Sequence, residues 1–519
     1  MFESLLTGLY TAARMRAMDQ AAIEGVGIPG GHLMERAGVG VAREILERFD
    51  PEFAVVYAGK GNNGGDGFVV ARELTSAGVD VLVVAVAGRE GYEGDALLNL
   101  KILDGLQVDV FDGLPPEGEE RDELLAADLA VDAVFGTGFS GSAHGPAAEA
   151  IELMNATPAP VVAIDIASGV DASTGEVSGP AVMADLTVTM HAPKVGHFVT
   201  PGGTYSGDVV AVPIGIPLMC EQEADVWLLG LDGLSLLVRP KGALDHKRSV
   251  GTVLVVGGSR GMGGAAFLAA MAALRAGAGL VHCAIPAAAA AGKPYVEVIT
   301  VPLPGEQWLG AESLQAARDE MGRFKAVALG PGMGREDETV QLVRELIAEP
   351  VPLLLDADGL WALGAELALL RARKAPTVLT PHEGELGRLL GRPAEEVAAH
   401  RLASVREAAA ASGATVLLKG EASIVADPGG SAYVIPSGNP GLATPGTGDV
   451  LSGAIVAQLA KGLGATDAAC LGGYLHGLAA DMAAQYKVGS EGMIAGDLLE
   501  FLPLAVERVK EGHAEDEEE

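Results

Sequence analysis

Cysteine is almost missing from this chain: Cys220, Cys283 and Cys470 are the only three in 519 residues. They are too scattered for a disulfide framework or a metal-binding spacing, and a reducing cytoplasm is the expected setting. Aromatic residues make up only 4%, so the cores must be built from Val, Leu, Ile and Ala. Positive charge is scarce too, with 35 Lys and Arg against 69 Asp and Glu and a net charge of −34. So acidic a surface repels phosphate backbones and anionic bilayers, which excludes nucleic acid and membrane as expected partners. Solubility and adaptation to high salt both accommodate the acidity. The longest apolar stretch, Ala265 to Ala291, is broken by Arg275, His282 and Pro286. It reads as a buried helix followed by a buried strand, not as a membrane span. No basic segment followed by an apolar one opens the chain, so no signal peptide is expected. A Walker A pattern is also lacking, which removes a P-loop nucleotide site.

Glycine is abundant, at 72 residues, and 49% of the chain is hydrophobic. Such a composition suits α/β architecture with many tight turns between strand and helix. The length predicts two domains of about 200–270 residues. Short apolar runs bounded by glycine, as at Phe53 to Ala58, mark buried parallel strands. Further strands are predicted at 79–86, 129–134, 161–166, 186–190 and 208–214. The pattern dissolves between Ile214 and Arg239, then restarts with strands at 251–256, 326–329, 351–355, 377–379 and 415–418. We therefore expect domains at 1–225 and 226–510 and an acidic tail at 511–519. Both domains read as doubly wound α/β sheets, with ligands at the C-terminal ends of the strands.

In the second half, Gly446-Thr447-Gly448-Asp449 precedes a predicted helix from Val450 to Lys461. Two glycines let successive N–H groups converge at the helix N-terminus, a geometry that binds a phosphate. An acid beside that anion is explained if Asp449 takes a proton from a substrate hydroxyl attacking phosphorus. An N-capping aspartate is the bland alternative. Thr380-Pro381-His382-Glu383-Gly384-Glu385 places a polar cluster at a strand end, without the second histidine that zinc favours. Lys419 follows another strand, where it either meets nucleotide phosphates or is simply solvated. Gly330-Pro331-Gly332 suits close backbone approach to a ligand. Asp356-Ala357-Asp358 either reaches a magnesium-bound phosphate or caps a turn.

In the first half, Gly59-Lys60-Gly61-Asn62-Asn63-Gly64 formally satisfies G-x-G-x-x-G between a strand and a helix. The run Asn62-Asn63-Gly64-Gly65-Asp66-Gly67 is too polar for an ordinary dinucleotide turn. Its carbonyl and carboxylate oxygens suit a cation or a polar ligand. Asp132, with Gly136-Thr137-Gly138-Phe139-Ser140-Gly141, and Asp165, with Ser168-Gly169, end two further strands. Each aspartate alone could cap a turn. Successive parallel strands, however, share one edge.

The ordered motifs of the second half resemble the NAD(P)H-hydrate dehydratases of the ribokinase-like superfamily, over about residues 247–503. They include Gly257-Gly258-Ser259, Arg275-Ala276-Gly277-Ala278-Gly279, the Gly-Pro-Gly loop, Thr-Pro-His-Glu-Gly-Glu, Leu-Lys-Gly and Asn439-Pro440-Gly441. The resemblance implies a ribokinase-like domain in which Asp449 is the catalytic base. It assigns the hydrate to Ala265, Gly332, His382 and Asp449, and the nucleotide to Lys419, Gly420, Glu421, Ala422, Ser423 and Gly448. ADP is the implied co-substrate, with Mg2+. Met262, Trp361 and Pro445 stand where the family usually has an aromatic, an asparagine and a glycine.

The first half resembles the NAD(P)H-hydrate epimerase domain over about residues 10–215, through Met18-Asp19, Leu33-Met34-Glu35-Arg36-Ala37-Gly38 and the two glycine loops. That implies a Rossmann-like three-layer αβα domain holding K+ on Asn63, Asp132 and Ser168. The hydrate is assigned to Asn62, Asn63, Gly64, Gly65, Asp66, Gly136, Thr137, Gly138, Phe139, Ser140, Gly141, Ser142 and Asp165. Asp165 is the candidate general acid/base, and Ile166 follows it where the family has proline. Together the halves imply a bifunctional repair enzyme for NADHX and NADPHX, expected to self-associate. The competing readings are a ribokinase-like kinase for a vitamin-precursor alcohol with a regulatory N-terminal half, and an N-terminal half that only binds.

Overall fold

The computed structural model describes residues 3–512 except Lys293. The chain divides into two compact units, Gly8–Val226 and a second unit from Trp227 onward that also takes the segment preceding Gly8.

In the unit Gly8–Val226, helix α1 (Ala12–Gln20) runs into a π-helical turn, Ala21–Val26. The central sheet holds β1 (Phe53–Ala58), β2 (Asp80–Ala85), β3 (Asp109–Asp112), β4 (Leu129–Ala133), β5 (Val161–Ile164), β6 (Leu186–Met190) and β7 (Asp208–Val212). Its spatial order is β3-β2-β1-β4-β5-β6-β7, and every pairing is parallel. Val, Ala and Leu occupy both faces of β1, β4 and β5, because helices cover the sheet on either side. Two apolar clusters result, one per face. Order reverses between β1 and β4, the crevice where a doubly wound sheet takes its ligand.

One sequence expectation changes here. The polar run from Asn62, read as the turn between a strand and a helix, itself opens α2 (Asn62–Ser76). The Asn-Asn-Gly-Gly-Asp run is thus the first turn and a half of a helix, not a loop. Gly64 permits this, because a Cβ there would lie 1.8 Å from the Gly59 carbonyl oxygen.

In the second unit, nine strands from Thr252 on are β8 (Thr252–Val256), β9 (Leu280–Pro286), β10 (Ile299–Leu303), β11 (Ala326–Leu329), β12 (Leu353–Leu355), β13 (Thr377–Leu379), β14 (Thr415–Leu418), β15 (Ser423–Ala426) and β16 (Ala432–Ile435). They lie in the order β16-β15-β14-β13-β12-β11-β8-β9-β10. Pairings from β10 through β14 are parallel, and β15 and β16 add an antiparallel margin. Helices α3 (Gly263–Arg275), α4 (Asp358–Leu363), α5 (Glu383–Leu390) and α6 (Thr447–Ala460) each follow a loop of the expected site. Helices α3 and α6 touch closely at Gly453, where a Cβ would stand 2.2 Å from the Ala269 oxygen.

Helix α6 starts at Thr447, so Asp449 belongs to its first turn. Ser423 opens β15 and does not continue the loop after β14. Glu511 ends the helix Ala495–Glu511, and the acidic tail from residue 513 lies outside the described residues. No helix among the described residues is long and apolar enough to cross a membrane. The three cysteines are free and buried.

Candidate functional site

Each unit carries one cluster, and both lie at the C-terminal ends of parallel strands. In Gly8–Val226 a cavity of about 1040 Å³ is lined by Asn62, Asn63 and Asp66 from α2, by Gly136, Thr137, Gly138, Phe139 and Ser140 after β4, and by Asp165 after β5. Gly64, Gly65, Gly141 and Ser142 do not line it. Gly65 packs on Met34, and Ser142 turns towards Gly179.

Asp165 holds a left-handed backbone, φ +67°, and its Oδ1 accepts from Lys194 Nζ at 2.5 Å. Lys194 is 1% exposed and also donates to Thr189 Oγ1 at 2.7 Å and the Met190 carbonyl at 2.9 Å. His197 is buried against both residues. Its Nδ1 accepts from the Lys194 amide at 3.0 Å, and its Nε2 lies 2.8 Å from the Asp165 carbonyl oxygen. That arrangement fixes the tautomer, with Nε2–H donating. Burial and the Lys194 charge push His197 down to about 4, so the ring is neutral.

Burial would raise the Asp165 carboxyl, but the Lys194 ammonium and the Met190 amide hold it below the usual range. Asp66 goes the other way: burial first, then Asp165 and Asp19, push it well up despite Lys194. Asp19 rises to about 6 for the same reasons. One lysine thus faces three carboxylates and pairs with only one of them, while burial and acidic neighbours push another well up. Lys194, His197 and Asp19 are absent from the residues chosen from sequence. The available signal was that Lys194 closely follows β6, a further strand end on the same edge.

Asp132 and Ser168 lie beneath the cavity floor, fully buried. Asp132 accepts from Ser168 Oγ at 2.6 Å, Ser168 N at 2.7 Å and Val134 N at 3.1 Å. Burial still lifts its carboxyl to about 6, since no cation among the described residues pairs with it. Asn63 Nδ2 donates to the Phe135 carbonyl at 3.0 Å, and Ser168 Oγ also reaches that oxygen at 3.3 Å. Carboxylate, hydroxyl, amide and carbonyl oxygens around one uncompensated buried acid fit a hard monovalent cation.

In the second unit Asp449 sits in the first turn of α6, whose cap Gly446 has φ +93°. The turn is rigid. Thr447 Oγ1 donates to the Leu442 and Thr444 carbonyls at 2.8 and 2.9 Å, and buried His476 Nε2 lies 2.9 Å from the Thr447 oxygen. Lys419 bonds Asp356 at 3.0 Å and approaches Glu385 at 3.6 Å. Burial lowers a lysine, yet Asp356, Glu385 and Asp449 keep this one above its ordinary value. Burial and the Asp356 charge lift Asp449 to about 7, against the pull of Lys419. A carboxylate poised there is matched to accepting a proton near neutrality.

Gly332 adopts φ +63°, and a Cβ would meet the Met262 carbonyl oxygen at 2.5 Å and Ala265 at 3.1 Å, so Ala265 and Gly332 adjoin. His382 is exposed and caps α5: Nδ1 accepts from Gly384 N and Glu385 N, while Glu385 accepts from the His382 amide. Gly420 and Ala422, both with positive φ, turn the hairpin between β14 and β15 against buried Arg401, which reaches the Glu421 carbonyl. Lys419 also lies beside Gly448. Asp358 serves Gly334 N and Arg335 Nε, both at 2.9 Å, and Asp356 is shared by Lys419 and Ser452. Both acids are therefore engaged by protein, and among the described residues no group of three or more metal-binding side chains occurs.

Two doubly wound sheets, each with a lysine and several acids at the ligand edge, define a two-site α/β enzyme. Residues 253–504 match the NAD(P)H-hydrate dehydratase family and residues 30–196 match the YjeF-related protein N-terminus. The bifunctional NAD(P)H-hydrate repair enzyme of Moorella thermoacetica is 41% identical over 517 residues, covering 97% of each chain. That of Salinibacter ruber is 39% identical, covering 98% of each. A solved ADP/ATP-dependent NAD(P)H-hydrate dehydratase from Bacillus subtilis, co-crystallised with ATP/Mg2+, is 29% identical and covers 54% of this chain and 97% of that one, with a TM-score of 0.48. The chain belongs to the family of bifunctional NAD(P)H-hydrate repair enzymes.

Proposed function

We propose that the unit Gly8–Val226 interconverts the R and S hydrates of NADH and NADPH, and that the second unit dehydrates the S form with ADP. The observation that carries the reading is Asp449, raised to about 7 at a helix N-terminus beside Lys419. In this scheme Asp449 accepts the proton of the ring C6 hydroxyl. The freed oxygen attacks the terminal phosphorus of ADP, and AMP leaves. Lys419 and the first amides of α6 neutralise charge on the transferring group. The phosphate ester then departs with its C–O bond, a proton leaves the neighbouring ring carbon, and the ring double bond returns. The products are NAD(P)H, AMP and phosphate. Magnesium has no protein cage here and fits as an ion carried by nucleotide oxygens, as it commonly is.

For the epimerase, Asp66, pushed up by burial, serves as the acid and Asp165, held down by Lys194, as the base, the two proton positions that inversion needs. Asp66 donates to the departing C6 hydroxyl, which leaves as water, and the ring nitrogen lone pair closes a double bond to carbon. Water then adds to the opposite face and gives its proton to Asp165. Lys194 orients Asp165 and keeps it ionised. Asn63, Asp132, Ser168 and the Phe135 carbonyl would hold K+, which would neutralise Asp132 beneath the substrate loops. Free, buried cysteines support cytoplasmic residence.

The test is a coupled assay of mixed R and S NADH hydrate with ADP, following reduced-nicotinamide absorbance and AMP. Return of NADH from the whole mixture, one AMP per NADH, is the expected result. A stable phosphorylated product would instead support the vitamin-kinase reading, and consumption of only half the mixture would remove the epimerase.

A further inference from the structure

Position 361 carries tryptophan where the resemblance has asparagine, and its surroundings are unusual. Two guanidinium groups lie over the one indole: Arg335 at 4.2 Å from the ring centroid and Arg388 at 3.0 Å. Cations stack favourably on indole, but two like charges on one ring repel each other in the absence of an anion. Arg335 has one acid partner, Asp358 at 2.9 Å, whose second oxygen is already taken by Gly334 N. Among the described residues no carboxylate pairs with Arg388, and its Nη1 has no hydrogen-bond partner. Partial burial and the charge of Arg335 together lower Arg388. In a chain of net charge −34, an acid beside Arg388 would be easy to supply, and none is there.

The three residues follow three neighbouring strands of the sheet, Arg335 from a loop at the ligand edge and Arg388 from the last turn of its helix. Arg335 follows β11, three residues beyond Gly332. Trp361 lies in α4 after β12, and Arg388 in α5 after β13, six residues beyond His382. Three residues of chain span at most about 11 Å, so the guanidinium of Arg335 lies within a dinucleotide's length of Gly332. The dinucleotide carries a diphosphate, and NADPHX adds a 2′-phosphate. Arginine's fork of donors matches such oxygens, and a stacked guanidinium is already oriented for them.

We infer that Arg335, Trp361 and Arg388 form the subsite that binds a phosphate of the dinucleotide hydrate in the dehydratase half. The inference rests on the dehydratase reading and adds to it a determinant of substrate binding remote from the reacting hydroxyl. Contacts of this kind bind ground state and transition state alike, so they act on KM and leave kcat in place.

Steady-state dehydration should be measured with S-NADHX, S-NADPHX and ADP varied in turn, for the wild type and for Arg388→Gln and Arg335→Gln. Arg335 is 57% exposed at its side chain, so its variant keeps the fold in reach should Arg388→Gln not. The expected result is a KM for the hydrate raised about tenfold or more, with kcat within about twofold and the KM for ADP unchanged. A rise for both hydrates assigns the diphosphate, and a rise for S-NADPHX alone assigns the 2′-phosphate. Either supports the subsite. Unchanged hydrate KM in both variants, or a rise confined to ADP, overturns it. A wild-type protein that regenerates no NAD(P)H refutes the dehydratase reading instead.

Discussion

The two halves solve the same electrostatic problem in opposite ways. Each gathers three acids around one lysine: Asp165, Asp66 and Asp19 around Lys194, and Asp356, Glu385 and Asp449 around Lys419. In the N-terminal unit the lysine pairs with the strand-end acid proposed as the base, so Asp165 is ionised at any neutral pH. In the C-terminal unit it pairs with Asp356, and the proposed base Asp449 is left near 7. Which carboxylate the ammonium touches decides which one titrates.

The largest test of this contrast is Asp449→Asn. Dehydration should fall about 10³-fold, while R-to-S exchange, followed by separating the two hydrates, stays as in the wild type. Loss of both activities would break the separation. Asp165→Asn should do the converse, slowing exchange by about 10²-fold or more with dehydration of purified S hydrate intact.

The pH profiles should also diverge. Dehydration kcat/KM should rise with pH through about 7 as Asp449 ionises, whereas Asp165, held below the usual range by Lys194, should add no titration to exchange across neutrality. The smallest effect is on stability. Because the folded-state value of Asp449 lies above the ordinary 3.8, its contribution to stability is present below the unfolded value and is lost as pH rises through about 7. Asp449→Asn should therefore raise Tm at pH 8 by about 5 °C, and the difference should vanish near pH 4. An unchanged Tm at pH 8 would show that Asp449 bears no burial strain.

Much of this was legible in the residues. Val-rich runs such as Phe53–Ala58 and Thr252–Val256, bounded by glycine, specify buried parallel strands, and the Gly-Thr-Gly-Asp turn specifies a helix start with an acid in its first turn. Helix starts were misread at Asn62 and Thr447, because glycines that read as loop are helical here. The helix at Asn62 needs its glycine because backbone just beyond the strand crowds the first turn, the Gly59 carbonyl at Gly64. Lys194 and His476 were not legible, since a lone lysine or histidine carries no periodic signal and gains meaning only from what it touches.

The sequence by itself therefore determined the α/β architecture and the acids at the strand ends, because backbone periodicity and turn chemistry are local. Only the tertiary structure decided the protonation of those acids. Their charge states depend on which lysine lies within hydrogen-bonding reach in space, and on how much water the surrounding helices exclude.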